Sequence, residues 1–149
     1  MTETYLLKPI GWVRKQDGRQ GIIEVEAAYL PALLGLAQYS HVWVIFWFHE
    51  NDNPRDRGIL QVHPCRNPAN PLTGVFATRA PVRPNLIGLS AARLLGMEGH
   101  RVILAGLDAR EGTPVLDMKP YLAESDAIHE ATGPSLLPHV EDGVKPRDG

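Results

Sequence analysis

Hydrophobic and polar residues alternate over short distances along this chain, which predicts strands more often than helices. The clearest strand covers residues 40–49, whose near-continuous apolar character predicts burial on both faces. A helical spacing of leucines occurs over 27–37, where Pro31 would lie in the first turn and Gly35 would keep the helix short. Further strands are predicted over 5–13, 22–25, 75–78, 88–95, 101–107 and 114–118. Six or seven strands with one short helix predict a mainly β fold, an antiparallel barrel or sandwich. The sequence contains no strand–GxGxxG–helix unit, so a Rossmann fold is not expected.

Two proline-rich stretches interrupt the strands. Residues 51–72 contain four prolines and predict a long loop with an irregular strand near 58–62. Residues 74–90 begin as a strand and then break, because Pro81 and Pro84 have no backbone N–H to donate. The break is accompanied by Arg79, Arg83 and Asn85. A stiff loop with these polar groups is typical of a binding site, and a solvated surface crossover is the alternative.

Composition is that of an ordinary globular protein, with 44% hydrophobic and 21% charged residues. A length of 149 residues predicts one domain, 1–149, in which 123–149 forms a polar C-terminal tail. No signal peptide and no apolar stretch of membrane-spanning length is visible, and the one cysteine, Cys65, excludes an internal disulfide. A cytoplasmic location without membrane attachment is therefore expected.

Charge is distributed unevenly, although the formal net charge is only −2. Residues 55–101 contain seven arginines and two acidic residues, a net charge of +5. Arginine forms bidentate contacts with phosphate and carboxylate and stacks on planar bases. This segment therefore predicts an anionic partner, and pairing with the acidic C-terminal third of the chain is the alternative.

Metal and nucleophile chemistry have weak support in the sequence. The six histidines are scattered without a His-x-x-x-His pair, and Cys65 has no second cysteine beside it, so no metal site is expected. There is no Gly-x-Ser-x-Gly motif, and Ser90 within an apolar strand is interpreted as a core hydroxyl.

One extended segment combines side chains suited to proton transfer. Asp117 and Lys119 are two residues apart and share one face of a strand, and Tyr121 continues that face if the strand persists across Pro120. A carboxylate, an ammonium and a phenol in this order could bind a substrate or accept a proton, and a surface ion pair is the alternative.

These motifs are similar to those of a known family. The sequence resembles the TrmO-like family (also called YaeB, VirR or TsaA-like) of tRNA adenine-N6 methyltransferases over residues 5–122, in IGWVR at 10–14, YSHVWVIFWFH at 39–49, the block 74–90, and GTPVLDMKPYL at 112–122. The resemblance implies a small antiparallel β-barrel, a homodimer and S-adenosylmethionine bound near the subunit interface. It also implies methyl transfer to N6 of adenosine 37, which carries a threonylcarbamoyl group in the tRNA anticodon loop.

The resemblance also implies roles for individual residues. The sequence departs from the family pattern at three positions, with Leu86 where the family usually has proline, Glu111 where it has aspartate and Ala80 where it has serine. The chain is also shorter than family members that have an additional C-terminal domain. Arg19-Gln20-Gly21 is similar to an Arg-Gln loop of the family. The implied cofactor residues are His49, Glu50, Arg79, Leu89, Arg110, Glu111, Gly112 and Thr113. The implied catalytic residues are Asn85, Asp117, Lys119 and Tyr121, and the substrate-binding residues are Arg66 and Arg83.

Two other functions stay open at this point. The chain could be a non-enzymatic barrel module that binds the cofactor or a protein partner. It could also be a methyltransferase for another substrate.

Overall fold

The computed structural model describes residues 2–16 and 20–140 and divides the chain into two compact units. Residues 1–49 and 87–127 form one unit, here called the barrel unit. Residues 50–86 and 128–149 form the other, here called the loop unit. Arg19 and the end of the predicted polar tail, 141–149, lie outside the described residues. The single domain of 1–149 stays a prediction.

Eight strands occur in the described residues. They are β1 (Gly11–Gln16), β2 (Gln20–Val25), β3 (His41–Trp47), β4 (Gln61–Val62), β5 (Thr73–Gly74), β6 (Ile87–Glu98), β7 (Arg101–Ala105) and β8 (Pro114–Pro120). Six of them close an antiparallel barrel in the order β1–β2–β7–β6–β3–β8. The predicted mainly β fold, an antiparallel barrel without Rossmann topology, is confirmed.

Alternation along β3 separates the barrel interior from its outer surface. Val42, Val44 and Phe46 are buried, whereas Trp43 and Ile45 are only partly covered. The prediction of burial on both faces is therefore wrong, because a closed barrel buries only the inward side of each strand. The core joins these inward residues to Val13, Ile23, Val25, Ala92, Val102, Leu104 and Val115.

A bulge in β8 decides which of its residues face outward. The pairing with β3 shifts so that Phe46 lies opposite Val115 and Ile45 lies opposite Asp117. Leu116 is thus the extra residue, and such an insertion changes the direction of the side chains that follow it. As a result Asp117 and Lys119 are exposed while Val115 is buried.

The first predicted strand, 5–13, begins later than expected. β1 starts at Gly11, and the preceding residues form no strand, with Tyr5 and Leu6 strongly exposed. Pro9 has no N–H with which to extend the ladder, and pairing begins only with the bond from the Ile10 amide to the Val115 carbonyl (2.7 Å).

The predicted helix at 27–37 is replaced by two 3-10 helices, Ala27–Leu33 and Leu36–Gln38. Pro31 lies inside the first of them, where it removes a backbone donor. Gly35 has φ of +87° and separates the two segments, because this left-handed conformation ends a helix. Two single-turn α-helices that the pattern did not predict are α1 (Pro54–Arg57) and α2 (Ala123–Asp126). None of the helices in the described residues is long and apolar enough to cross a membrane.

The predicted strand at 75–78 is wrong. Strand pairing with β4 covers only β5, and the next three residues form a 3-10 turn, Val75–Ala77. The Thr78 amide and hydroxyl both donate to the Val75 carbonyl, at 3.1 and 3.0 Å, and so close this turn. Val75 is buried and Phe76 is 84% exposed. Local hydrogen bonds of threonine outweigh β propensity here.

The strands predicted over 88–95 and 101–107 are present as β6, which continues to Glu98, and as β7, which ends at Ala105. β6 and β7 pair around Gly99-His100, and Gly99 has φ of +59°. Ser90 is buried and its Oγ accepts a hydrogen bond from the Asp108 amide (3.1 Å), as expected of a core hydroxyl.

Two buried asparagines organise the loop unit. The Asn70 carboxamide nitrogen donates to the carbonyls of Pro64 (2.8 Å) and Leu137 (2.9 Å), and its oxygen accepts from the Leu137 amide (2.8 Å). Asn67 donates to the Pro138 carbonyl at 2.9 Å. These bonds attach residues 137–138 of the predicted polar tail to the 64–70 segment.

Candidate functional site

The turn at 110–113 is held against β1 by backbone hydrogen bonds. The Gly112 amide donates to the Val13 carbonyl at 2.8 Å, and the Val13 amide donates to the Thr113 carbonyl at 2.9 Å. Gly112 has φ of +79°, a conformation that favours glycine. Thr113 is buried, whereas Arg110 at the tip is exposed. The turn therefore presents its first residues to solvent from a fixed backbone.

Glu111 in this turn contacts neighbouring residues of the barrel unit. Its carboxylate accepts a hydrogen bond from the Lys15 amide and lies 3.8 Å from the Arg14 guanidinium. These contacts show that glutamate, the residue that departs from the family pattern, stabilises the attachment of the turn to β1. A cofactor-binding role for Glu111 stays a prediction.

Asp117 and Lys119 lie side by side on the outer face of β8, as predicted. Their Oδ2 and Nζ atoms are 3.5 Å apart, and Asp117 Oδ1 accepts from the Met118 amide at 2.8 Å. Asp117 lies opposite Ile45 on β3, and Ile45 lies opposite Leu89 on β6. Asp117, Ile45 and Leu89 therefore lie side by side in one row across three strands of the outer face. Ile45 is in the middle, and Leu89 is 47% exposed.

Tyr121 continues this face because strand pairing persists across Pro120. The Tyr121 amide donates to the His41 carbonyl at 3.0 Å. The Tyr121 ring contacts those of Trp43 and His41, with ring centroids 5.3 and 6.3 Å away. The interpretation that Asp117, Lys119 and Tyr121 share one face is confirmed, and that face is the outer one.

Asp126, in the short helix α2, holds the Trp43 indole in place. Its Oδ2 accepts hydrogen bonds from the Leu122 amide and from Trp43 Nε1, both at 2.9 Å. Donation by the Leu122 amide, and next by Trp43, lowers the pKa of Asp126 below its usual value. The sequence interpretation did not include His41, Trp43 or Asp126 in the site.

The loop unit contains the remaining predicted site residues. Arg79 and Asn85 are both exposed, and within the described part of the chain no hydrogen bond or ion pair of Arg79 is seen. Arg83 differs, because its Nη1 donates to the carbonyls of Thr78 (3.2 Å) and Ala80 (3.0 Å). Arg83 therefore stabilises the proline-rich loop, whereas Arg79 presents its guanidinium to solvent.

Arg66 lies in an unusual backbone conformation. Arg66 and the preceding Cys65 have φ of +50° and +60°, values that are uncommon for residues with a Cβ atom. Both side chains are exposed. The substrate-binding role of Arg66 and Arg83 stays a prediction.

His49 and Glu50 follow β3 in a 3-10 turn, His49–Asn51. His49 belongs to the barrel unit and is half-buried, and Glu50 begins the loop unit and is exposed. A strand end followed by a turn suits ligand contacts.

An apolar pocket of about 140 Å³ lies in the barrel unit between the 3-10 helices and β8. Its volume is below the roughly 300–1,000 Å³ typical of sites that enclose a cofactor-sized molecule. Among the described residues, no three His, Cys, Asp or Glu side chains are grouped closely enough to hold a metal ion. The pocket is lined by Ile10, Val25, Tyr29, Ala32, Leu33, Leu36, Asp117 and Met118.

The fold and the outward-facing polar groups define a small antiparallel β-barrel whose candidate site is built from strand faces and loops, not from a Rossmann sheet. The family model of the tRNA-methyltransferase O N-terminal domain matches residues 13–127. The chain belongs to this family.

Similar proteins agree with that assignment. The "Probable S-adenosyl-L-methionine-binding protein" of Pyrococcus horikoshii is 39% identical over 128 residues, which are 86% of this chain and 90% of the relative. The human tRNA (adenine(37)-N6)-methyltransferase is 48% identical over 103 residues, or 69% of this chain and 23% of the human protein. The crystal structure of TrmO from Pseudomonas aeruginosa superposes with a TM-score of 0.71 and 33% identity over 93% of this chain and 65% of that one. The chain thus spans less than two thirds of the human and Pseudomonas proteins.

Proposed function

We propose that this chain binds S-adenosylmethionine and methylates N6 of adenosine 37 in the anticodon loop of tRNA, with threonylcarbamoyl-adenosine as the target nucleoside. The observation that carries the proposal is the family match, because residues 13–127 include nearly all of the barrel and all the implied site residues. Relatives named for binding S-adenosylmethionine and for methylating tRNA adenosine 37 support it. Such an enzyme would act in the cytoplasm.

The residues present fit the chemical groups of the cofactor. Arg79 has an exposed guanidinium suited to the amino-acid carboxylate, and Leu89 offers an exposed apolar surface for the adenine ring. The fixed turn at 110–113 and His49 supply further contacts in the barrel unit, and Glu50 supplies a carboxylate in the loop unit. When bound, S-adenosylmethionine supplies a methyl group already activated on a sulfonium, so this chain needs to contribute positioning and proton transfer.

The outer face of β8 supplies the groups for proton transfer. Asp117 is held by the Met118 amide and by Lys119, and it would accept the proton that leaves N6. Lys119 would keep that carboxylate oriented. The hydroxyl of Tyr121 and the carboxamide of Asn85 would orient the adenine N6, and Arg83 and Arg66 would bind the anionic groups of the substrate.

A homodimer is part of the proposal, and exposed apolar side chains of the barrel support it. Ile87 and Leu89 at the start of β6 are 43% and 47% exposed, which leaves an apolar surface on the outer face. Light scattering should give twice the chain mass for the wild type and the chain mass for Ile87→Lys. Leu34→Lys is the matched control, since Leu34 is almost fully exposed. A monomeric wild type, or a dimeric Ile87→Lys variant, would contradict this assembly.

Calorimetric titration with S-adenosylmethionine tests the cofactor site. We expect one site per chain in the wild type and a loss of at least about tenfold in affinity for Arg79→Ala, because a charge-assisted hydrogen bond contributes about 1.5–3 kcal/mol. Arg55→Ala, which removes another exposed arginine of the loop unit, should bind as the wild type does. Equal affinities in all three proteins would remove Arg79 from the site.

Transfer of labelled methyl to tRNA tests the reaction. Asp117→Asn should lower turnover about 10²–10⁴-fold with cofactor affinity retained, as expected for loss of a general base. Asn85→Ala should also lower turnover while cofactor affinity is retained. Comparing tRNA with and without the threonylcarbamoyl group defines the substrate. Cofactor binding without methylation of either tRNA would favour the non-enzymatic module or another substrate, and unchanged turnover in both variants would remove these residues from the mechanism.

A further inference from the structure

Three aromatic side chains form a continuous patch on the outer face of the barrel unit. His41, Trp43 and Tyr121 come from β3 and from the residue after β8, and here they are called the aromatic platform. The Tyr121 ring is tilted by 51° to Trp43 and by 60° to His41. Rings at these angles do not cover one another face to face, so each keeps part of a ring face for another planar group.

Two polar groups of the platform, on Trp43 and His41, already have partners. Trp43 Nε1 donates to Asp126 Oδ2 at 2.9 Å, and His41 Nδ1 lies 2.8 Å from the Ser40 hydroxyl. What the platform offers to a ligand is therefore mainly ring surface held in a fixed orientation. Planar groups stack on ring faces of this kind.

Two cationic side chains flank the platform. Strand register places Arg93 directly opposite His41 and Lys119 directly opposite Trp43, so their Cβ atoms lie about 5 Å from those of their partners. Lys119 is paired with Asp117, and Asp126 adds a second carboxylate on the Trp43 side. In the described residues no carboxylate forms an ion pair with Arg93. The Arg93 edge is therefore the side suited to an anion.

We propose that the aromatic platform stacks an unpaired nucleobase of an RNA loop, with Arg93 contacting the adjacent phosphate. Ring faces that stack bases, with a cation beside them for the backbone, are the combination by which proteins hold single-stranded nucleic acid. The proposal rests on the proposed function, because the platform lies next to Asp117 and Lys119 on the same face. It adds a surface that holds a neighbouring base while the target adenine lies at the carboxylate.

Binding of a fluorescein-labelled anticodon stem-loop RNA, measured by anisotropy, tests the platform. Tyr121→Leu should weaken binding about 5- to 150-fold, the range for losing one base–aromatic stack. Tyr121→Phe retains the ring and should bind within about twofold of the wild type, even though turnover should fall because the hydroxyl is lost. Trp43→Leu and Trp43→Phe form a second matched pair, and a fully paired RNA duplex should not distinguish leucine from phenylalanine at either position.

Salt dependence tests the phosphate contact separately. Arg93→Gln should reduce the slope of log K against log salt by about 0.7, the contribution of one phosphate on a single strand. Lys8→Gln, which removes an exposed charge of the barrel unit outside the platform, should leave that slope unchanged.

Several outcomes separate this proposal from the proposed function. If the leucine and phenylalanine variants bind the loop equally while the wild type methylates tRNA, the platform is wrong and the function stands. If the ring-dependent affinity is observed without methyl transfer, the platform stands and the function is wrong. Absence of RNA binding by the wild type would overturn the platform.

Discussion

Replacing Asn70 tests whether one buried carboxamide holds the C-terminal segment of the loop unit. Asn70 is 3% exposed, and its carboxamide makes three hydrogen bonds, two of them as a donor. Asn70→Ala removes all three. Asn70→Asp keeps the acceptor for the Leu137 amide, but it faces a carboxylate toward the carbonyls of Pro64 and Leu137.

The size of the effect follows from the number of bonds. Each contributes about 0.5–1.5 kcal/mol net, so Asn70→Ala should lose about 1.5–4.5 kcal/mol. Leu137 is half exposed, so its amide and carbonyl can bond to water once the segment detaches. The loss should therefore appear as easier local opening of this segment. Asn70→Asp should be at least as destabilising at neutral pH, because its second carboxylate oxygen would be buried against two carbonyl oxygens that the carboxamide nitrogen now contacts.

Hydrogen exchange at the Leu137 amide is the assay. Its exchange should be about 10- to 1,000-fold faster in Asn70→Ala. Asn51→Ala is the control, since it removes a single carboxamide bond, to Asp56, in the same unit. Unchanged exchange at Leu137 in Asn70→Ala would refute the reasoning that these bonds attach the segment.

Two further predictions concern the barrel unit. A Cβ atom at Gly11 would lie 2.5 Å from a backbone oxygen of the facing strand. Gly11→Ala should therefore lower the free energy of unfolding, measured by urea denaturation, by about 1–3 kcal/mol. At Gly96 no atom lies within 4 Å of such a Cβ, so Gly96→Ala should be neutral or stabilising. An equal effect of both would contradict the packing argument. Hydrogen bonds from the Leu122 amide and Trp43 lower the pKa of Asp126 in the folded protein below its ordinary value of 3.8. These bonds therefore stabilise the fold at pH values above 3.8, and this stabilisation is lost as the pH falls through the lower pKa of the folded protein. The Trp43 indole N–H resonance should therefore titrate below pH 3.8, and a titration at or above this value, or the same titration in Asp126→Asn, would contradict the assignment.

Local patterns predicted the barrel strands that are long enough to display alternation. β3, the β6–β7 hairpin and β8 all follow from the spacing of their apolar residues. The same rule failed at 75–78, where strand pairing ends after two residues and the Thr78 hydroxyl favours a turn. It failed at 27–37 because Pro31 and Gly35 prevent the α-helix that the leucine spacing suggests.

The candidate site was predictable where its residues share one strand. The two-residue spacing of Asp117, Lys119 and Tyr121 was enough to predict that they share one face of a strand. The structure adds the bulge that turns this face outward. Contacts between distant residues had no sequence signal. Trp43 and Asp126 are 83 positions apart, and Asn70 and Leu137 are 67 apart, so neither pair could be found from spacing.

Arg79 and Arg83 show why a motif does not assign a role to each of its members. Both flank the same proline break, and by composition they are equivalent candidates for an anionic ligand. The structure separates them, because Arg83 donates to two carbonyls of its own loop while Arg79 is exposed. One guanidinium therefore supports the loop conformation that presents the other. Under the proposed function, removal of Arg83 would disturb the loop as well as remove a substrate contact, whereas removal of Arg79 would remove a cofactor contact without changing the loop.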